Sequence, residues 1–500
     1  MPDTDVLIVG AGFAGLGMAI QLRKAGFESF LIIEKADDLG GTWRENRYPG
    51  CACDVPSHLY SFSFELNPDW SRMYAPREEI SAYLHACAKR HGVLPRIRFG
   101  TTLREAVWDE TGGFWQVTTD EGVSIRARVL VTGMGALHAP CYPDIPGLEH
   151  FAGTAFHSSD WRSGVKLAGK NVAVIGTGAS AIQIVPQIAR EAGRLYLFQR
   201  TPAWVLPKVD VAIPEHWRRR FRQVPGLMRV FRMCLFCLLE MRVPVFLGSR
   251  WMQKQAEEVA TRYLESKITD PKLRQQLRPT YAFGCKRVLV ASDFYPALTR
   301  SNVDLVTDRI AEVRDHSIVT EDGTERSVDF IVYATGFRAA ELLHGARIIG
   351  RNGQSFPDAW RESKSAFLGI TMSGFPNLFL LLGPNTGLGH NSVVLMIEAQ
   401  IGYVMSCLKR MRRRNCAVVE LRLRSQQRFR DLLRRRLAKT VWQSGGCRSW
   451  YQDPQTGENV ALWPGSVMEY RWRARKASPA DYEWRGGPLD RADPAPRVKT

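Results

Sequence analysis

Asp5-Val6-Leu7-Ile8-Val9-Gly10-Ala11-Gly12-Phe13-Ala14-Gly15 is an apolar run of strand length that breaks into a Gly-x-Gly-x-x-Gly turn. Leu16, Met18, Ala19, Ile20 and Leu22 continue it at helical spacing, so the pattern predicts a strand, a tight turn and the start of a helix. Each glycine has its own task in such a unit. Gly10 allows the turn, Gly12 lets a pyrophosphate approach the backbone, and Gly15 lets helix and strand pack, with the first helical amides facing the phosphates. A second apolar run, Phe30-Leu31-Ile32-Ile33, ends in Glu34, a carboxylate at the distance where the ribose hydroxyls of an unphosphorylated dinucleotide are bonded. Strand, glycines, helix and acid in register predict a dinucleotide-binding domain.

The pattern recurs further along. Asn171-Val172-Ala173-Val174-Ile175 reads as strand, Gly176-Thr177-Gly178-Ala179-Ser180-Ala181 as glycine turn with Ser180 opening the helix, and Leu195-Tyr196-Leu197-Phe198 as the next strand. Alanine in the third glycine position is compatible with the fingerprint. The end of the second strand differs: Gln199-Arg200-Thr201 stands where the first unit has its glutamate. A carboxylate there would repel a ribose 2′-phosphate, whereas a guanidinium binds it in a fork. The first site therefore suits FAD and the second NADP.

A chain of 500 residues suggests about three units at roughly 100 to 200 residues each. Apolar content of 45% and charged content of 24% are those of a globular protein and argue against general disorder. The net charge of +18 raises the question of nucleic acid. Much of the excess lies in Lys409-Arg410-Met411-Arg412-Arg413-Arg414 and in residues 428–436, where Phe429, Leu432, Leu433 and Leu437 recur at helical intervals. The arginines then form the wet face of an amphipathic helix. With no zinc-finger spacing, aromatic RNA-binding motif or helix-turn-helix cue, no nucleic-acid partner is expected. Met1-Pro2-Asp3-Thr4 runs straight into the first strand without a secretory signal, which predicts a cytoplasmic protein. The ten cysteines form no disulfide framework and are expected mostly as buried free thiols, with Cys234 and Cys237 as core residues. No histidine and carboxylate cluster has ligand spacing, so no metal is expected.

Residues 40–54, beginning Gly40-Gly41-Thr42-Trp43, are rich in turn formers and read as a loop wrapping a flavin, with Thr42 and Trp43 among its contacts. A helix is predicted from Arg77, and a pair of strands at 114–118 and 125–131. The proline-bearing segment 139–147 looks like a crossing between domains. Residues 214–281 read as mostly helical. Within them, the nearly all-apolar run 233–241 predicts a buried helix, with a lid over an apolar substrate or a peripheral membrane contact as alternatives, since it is too short to span a bilayer. Val328-Asp329-Phe330-Ile331-Val332-Tyr333-Ala334-Thr335-Gly336 echoes Val131-Thr132-Gly133 and is taken as the return of the chain to the first domain. The expected fold class is α/β: two Rossmann-like dinucleotide-binding domains with a helical insertion. Residues 1–140 and 331–472 would make the FAD domain in two segments, 141–330 the NADP domain with the insertion at about 210–280, and 473–500 a flexible tail.

Phe151-Ala152-Gly153-Thr154-Ala155-Phe156-His157-Ser158-Ser159-Asp160-Trp161 resembles the F-x-G-x-x-x-H-x-x-x-W fingerprint of type I Baeyer-Villiger monooxygenases and lies, as there, between two nucleotide motifs. The next residue, Arg162, departs from the family's usual Pro or Asp. We read His157 and Trp161 as a hinge packing the linker. Arg47-Tyr48-Pro49-Gly50-x-x-Cys53-Asp54 resembles the flavin-side loop, and Phe283-Gly284-Cys285-Lys286-Arg287 the segment bearing the active-site arginine. The resemblance implies Arg287 as the catalytic cation, Asp54 as the carboxylate that holds it, and Lys286 as a partner of Arg200 and Thr201 on the NADP phosphate. It implies an enzyme that uses FAD, NADPH and O2 to insert one oxygen next to a ketone carbonyl, giving an ester or lactone. A related alternative oxidises nitrogen or sulfur of amines or sulfides. A flavin disulfide reductase is more distant, because Cys51-x-Cys53 would close too small a ring.

Overall fold

The computed structural model describes residues 2–486 apart from 163, 340, 342 and 344. The opening apolar run is the strand Thr4–Val9, paired in parallel on both sides, with Phe30–Ile33 and with Ser124–Thr132. Burial on both faces explains its unbroken apolar character. Around it an eight-stranded sheet runs in the order Arg347–Ile349, Leu103–Asp109, Phe114–Thr119, Ser124–Thr132, Thr4–Val9, Phe30–Ile33, Ile97–Arg98, with Leu378–Leu380 also on Ser124–Thr132. The predicted strand pair at 114–118 and 125–131 is present and antiparallel, Trp115 facing Ala127.

Helix Phe13–Lys24 leaves the glycine turn with nine residues buried, so it is apolar nearly all round. It is sandwiched between the sheet and the long helix Val393–Arg414. Gly17 makes the crossing possible, since a Cβ there would meet Ile401 Cδ1 and Phe62 Cε1 at 2.9 Å. The basic run at 409–414 is the exposed end of that long helix, where cations favour the helix dipole. The arginines of 428–436 line helix Leu423–Leu437, which buries Phe429, Leu433 and Leu437.

The second sheet is wholly parallel, in the order Val303–Val306, Arg194–Phe198, Asn171–Ile175, Phe330–Tyr333, Thr154–His157. Residues 328–336, expected to return the chain to the first domain, do not do so. Strand Phe330–Tyr333 belongs to this sheet and not to the first, so a boundary at 330/331 would cut it. The echo of Val131-Thr132-Gly133 in Ala334-Thr335-Gly336 is nevertheless physical. In each sheet the segment leaving that strand lies under the glycine turn: a Cβ on Gly10 would meet Gly133 O at 2.7 Å, and one on Gly176 would meet Ala334 O at 2.5 Å. The motif marks a place in a Rossmann unit, and both units have it.

Residues 214–281 are mostly helical, as Glu215–Gln223, Leu227–Glu240, Val243–Phe246, Arg250–Lys267 and Pro271–Gln276. The apolar run 233–241, expected to be buried, is not. In helix Leu227–Glu240 only Arg232, Leu235 and Leu239 are buried, while Met233, Cys234, Cys237 and Leu238 face solvent. Cys234 and Cys237 are therefore not core thiols. Contrary to the expectation of free thiols, Cys285 and Cys447 form a disulfide although 162 residues apart, because the fold brings their Cα atoms to 6.1 Å. Part of the expected tail is also structured. Tyr482–Gly486 is a strand antiparallel to Cys416–Leu421, with Tyr482 buried; the rest of that tail, 487–500, lies outside the described residues. No helix among the described residues is long and apolar enough to cross a membrane.

Candidate active site

The two glycine turns have the shape that a bound dinucleotide requires. Gly10 and Gly176 have φ of +98° and +109°, a region that a side chain disfavours, and their neighbours leave no room for a Cβ. A Cβ on Gly15 would lie 1.8 Å from Gly10 O, so this glycine holds helix against turn. The middle glycines behave differently. Around Gly12 the nearest atom to an added Cβ is Gly41 Cα at 3.7 Å, and around Gly178 nothing lies within 4 Å. Space is thus kept at the two positions where a pyrophosphate would sit, in front of helices Phe13–Lys24 and Ala181–Ile188, neither of which has a side-chain cap on its first amides. Ser180 is the residue before the second of these helices.

Glu34 is buried at the end of its strand and accepts a hydrogen bond from Ala11 N at 2.7 Å and another from Ala36 N at 3.0 Å. Its carboxylate is therefore fixed against the glycine turn. Thr42 and Trp43 follow Gly41, which packs on Gly12, so the loop that carries them closes over the first cradle. The buried Trp43 donates its indole N–H to Tyr60 Oη at 3.3 Å, and its carbonyl accepts from Arg77 Nε. On the second unit Arg200 is exposed, and the Thr201 carbonyl accepts from Thr177 Oγ1 at 3.2 Å. Lys286 lies over the Tyr281 ring, 5.2 Å from its centroid. Burial, and next repulsion from Arg200, lower the affinity of its amine for a proton. Two cations that repel one another in this way form a site for an anion such as a 2′-phosphate.

The first and second units meet at the loop 47–54. Tyr48 Oη donates to Gln183 Oε1 at 3.1 Å, and Gln183 Nε2 donates to Ala52 O at 2.9 Å, joining the loop to the helix of the second glycine unit. Gly50 is needed there, with φ of +81° and space for a Cβ closed by Gln183 O at 2.8 Å. Two residues beyond Ala52, Asp54 accepts from Arg287 Nη2 at 2.6 Å and from Nε at 3.0 Å, while Arg287 Nη1 reaches Leu388 O at 3.4 Å. The Asp54 charge holds the Arg287 guanidinium above its already high range. Both side chains keep about a third of their area exposed, 31% for Arg287 and 30% for Asp54, so a small molecule can reach the cation.

Several residues around this pair carried no signal in the sequence. Tyr451 is buried within electrostatic reach of Arg287 and its phenol is pushed up to about 12, chiefly by burial. The disulfide ties Cys285, two positions before Arg287, to the 447 loop that leads to Tyr451. Glu240, at the end of the insertion helix, accepts from Asn391 Nδ2 at 2.9 Å and lies 3.1 Å from His390 Nε2, beside Leu388. Burial alone would raise the Glu240 carboxyl, but those hydrogen bonds outweigh it and hold it low. Glu240 and His390 are 150 residues apart, Arg287 and Leu388 101, and Cys285 and Cys447 162, so no local pattern could have joined them. Cys51 and Cys53 are buried and free; burial raises both thiols, that of Cys51 to about 11, which leaves them protonated.

His157 and Trp161 lie where the linker packs. His157 is fully buried, its Nδ1 2.8 Å from Ser159 Oγ, with edge contacts to Tyr142 and Phe337, and Trp161 packs edge-on against Phe156.

Two nucleotide cradles meeting at a charged pair define a two-dinucleotide flavoprotein oxidoreductase. Residues 3–343 match the family model described as flavin-binding monooxygenase-like, and the chain belongs to that family. It is 46% identical to a Baeyer-Villiger monooxygenase of Pseudomonas aeruginosa over 97% of this chain and 92% of that protein. It is 42% identical to a Baeyer-Villiger monooxygenase of Streptomyces coelicolor over 96% and 92% of the two chains. Its fold matches OTEMO, crystallised in complex with FAD and NADP, with a TM-score of 0.85 and 28% identity, covering 97% of this chain and 99% of that one.

Proposed function

We propose that the protein uses FAD and NADPH to insert one oxygen atom of O2 between a ketone carbonyl and a neighbouring carbon, giving an ester or lactone. The observation that carries this reading is the Arg287–Asp54 ion pair, which brings a fixed positive charge to the junction of two dinucleotide cradles. FAD, when bound, supplies the redox chemistry with NADPH and O2. The chain supplies binding and charge. Gly10, Gly12, Gly15, Glu34, Thr42 and Trp43 form the FAD cradle; Gly176, Gly178, Ser180, Arg200, Thr201 and Lys286 form the NADP cradle. Arg287 cannot lose its proton at working pH, so it offers a permanent cation to the negative charge that develops on the substrate carbonyl oxygen. Asp54 fixes that guanidinium through two N–H donors, which preorganises it before the charge appears.

A cation held in place favours ketone oxidation, in which an oxygen nucleophile stays anionic, over oxygen transfer to nitrogen or sulfur, in which a protonated oxidant suffices. The experiment is incubation of the holoenzyme with linear, cyclic and aryl ketones and with a sulfide, using NADPH or NADH, followed by gas chromatography. Ester or lactone from at least one ketone, with NADPH preferred, is the expected result. Sulfoxide as the sole product would overturn the reading.

A further inference from the structure

More than half of the large apolar side chains left exposed among the described residues fall within the short stretch 209–259, the helical insertion and its approach. They are not scattered. Along helix Leu227–Glu240 the exposed positions Val230, Met233, Cys234, Cys237 and Leu238, followed by Met241 just past the helix end, recur at intervals of three and four, which is one continuous stripe. The stripe extends on to a second helix, Val467–Arg473. The Met468 amide bonds to Glu240 at the end of the first helix, and Met468 and Trp472, one turn apart, face solvent. Val230, Met233, Leu238, Met241, Met468 and Trp472 each leave between 50% and 72% of their surface exposed. A contiguous apolar strip of this kind is a contact surface, because isolated apolar residues on a surface do not line up.

Charge identifies the partner. Arg229, Arg242 and Arg471 flank the strip and are exposed. Glu240, the acidic residue of this helix, turns its carboxylate away toward His390, Asn391 and the amides of Val467 and Met468. A second copy docked about a two-fold axis would bring these arginines against their own equivalents. An anionic lipid surface accepts both features, taking the apolar stripe into the headgroup boundary and pairing with the arginines. We propose that the face formed by helix Leu227–Glu240 and helix Val467–Arg473 docks the enzyme on anionic membranes, lying in the interface without crossing it. The inference rests on this surface and not on the reaction proposed above.

The test is co-sedimentation of the full-length holoenzyme with vesicles of phosphatidylcholine alone or mixed with phosphatidylglycerol, at about 0.05 M and about 0.5 M salt, across which screening tightens severalfold. Wild-type protein is compared with the double variant Met233→Glu/Leu238→Glu and with Trp472→Ala. Binding to the anionic vesicles, weakened by salt, and weakened at least about tenfold by the double variant with a smaller loss for Trp472→Ala, is expected. These positions are exposed, so flavin absorbance and NADPH oxidation should be unchanged in all three proteins. Failure to bind at low salt overturns the proposal. So does binding that the double variant retains in full, which would assign it to the general net charge. Sedimentation equilibrium closes the remaining route: a wild-type dimer dispersed by Met233→Glu/Leu238→Glu would show the face to be a self-association surface and would also overturn it.

Discussion

A guanidinium is a useful catalytic charge only if it is held, and the geometry of Arg287 shows how that is done. Two of its nitrogens bond one Asp54 oxygen, a third reaches the Leu388 carbonyl, and a face stays open. Replacing Arg287 by Ala removes the cation without disturbing either glycine turn. The variant should bind FAD and be reduced by NADPH, while ester formation falls on the order of 100-fold to 1,000-fold, the usual cost of losing one preorganised donor, or further because a full charge is lost. Asp54→Ala leaves the cation but frees it to wander, so its rate should lie between wild type and Arg287→Ala. Stopped-flow absorbance with ester yield per NADPH consumed measures both. An Arg287→Ala enzyme forming ester at the wild-type rate would show that the charge has to be sought elsewhere. These two residues were legible only through their resemblance to a known motif; as bare residues, an Asp in a turn and an Arg among many would have said nothing. Tyr451, His390 and Glu240 were not legible at all, since only the fold brings Tyr451 within reach of Arg287 and Glu240 onto His390.

The insertion is seated on the first unit by a histidine. His58 is buried against the rings of Phe221 and Phe231, from the two insertion helices, and its carbonyl accepts from the buried Arg232 of the second helix. Burial, and then the Arg232 charge, lower the imidazole to about 4 from an ordinary 6.5. The native state therefore binds this proton later than the unfolded chain does. The contribution is fully present above pH 6.5 and is lost as pH falls through about 4, amounting to on the order of 3 kcal/mol. Urea midpoints at neutral pH and near the lower limit should fall less for His58→Gln than for wild type; equal falls would show that His58 carries none of the acid sensitivity. At this scale periodicity told half of the truth. It placed helices in 214–281, but a run as uniformly apolar as 233–241 has no polar face to give it a direction, and burial was the wrong choice. The glycine units were read correctly because strand, turn, helix and acid lie within one local stretch.

Across the whole molecule, what the sequence could not assign were long-range pairings: the sheet that strand Phe330–Tyr333 joins, the Cys285–Cys447 link, and the strand Tyr482–Gly486 that extends past Trp472. Tyr48-Pro49-Gly50 was legible only as part of a flavin-side loop, and nothing local showed that it docks on Gln183 of the second unit. Gly50→Ala tests that docking directly. The added methyl meets Gln183 O at 2.8 Å on a backbone with positive φ, a strain on the order of 1 to 3 kcal/mol. The variant should keep FAD, melt at a lower temperature and accept electrons from NADPH more slowly. An unchanged reduction rate would mean that the loop is not what sets the distance between the cradles. The same loop ends at Asp54, while Arg287 follows the insertion within the second unit, so the ion pair spans the joint. On the proposed assignment the enzyme behaves as a logical conjunction: each half can hold its own nucleotide, but the charge that ketone oxidation needs exists only while the halves are engaged. Separation after hydride transfer would not simply slow oxygen insertion, because the electrons already taken from NADPH would have no directed acceptor and would be spent on O2 alone.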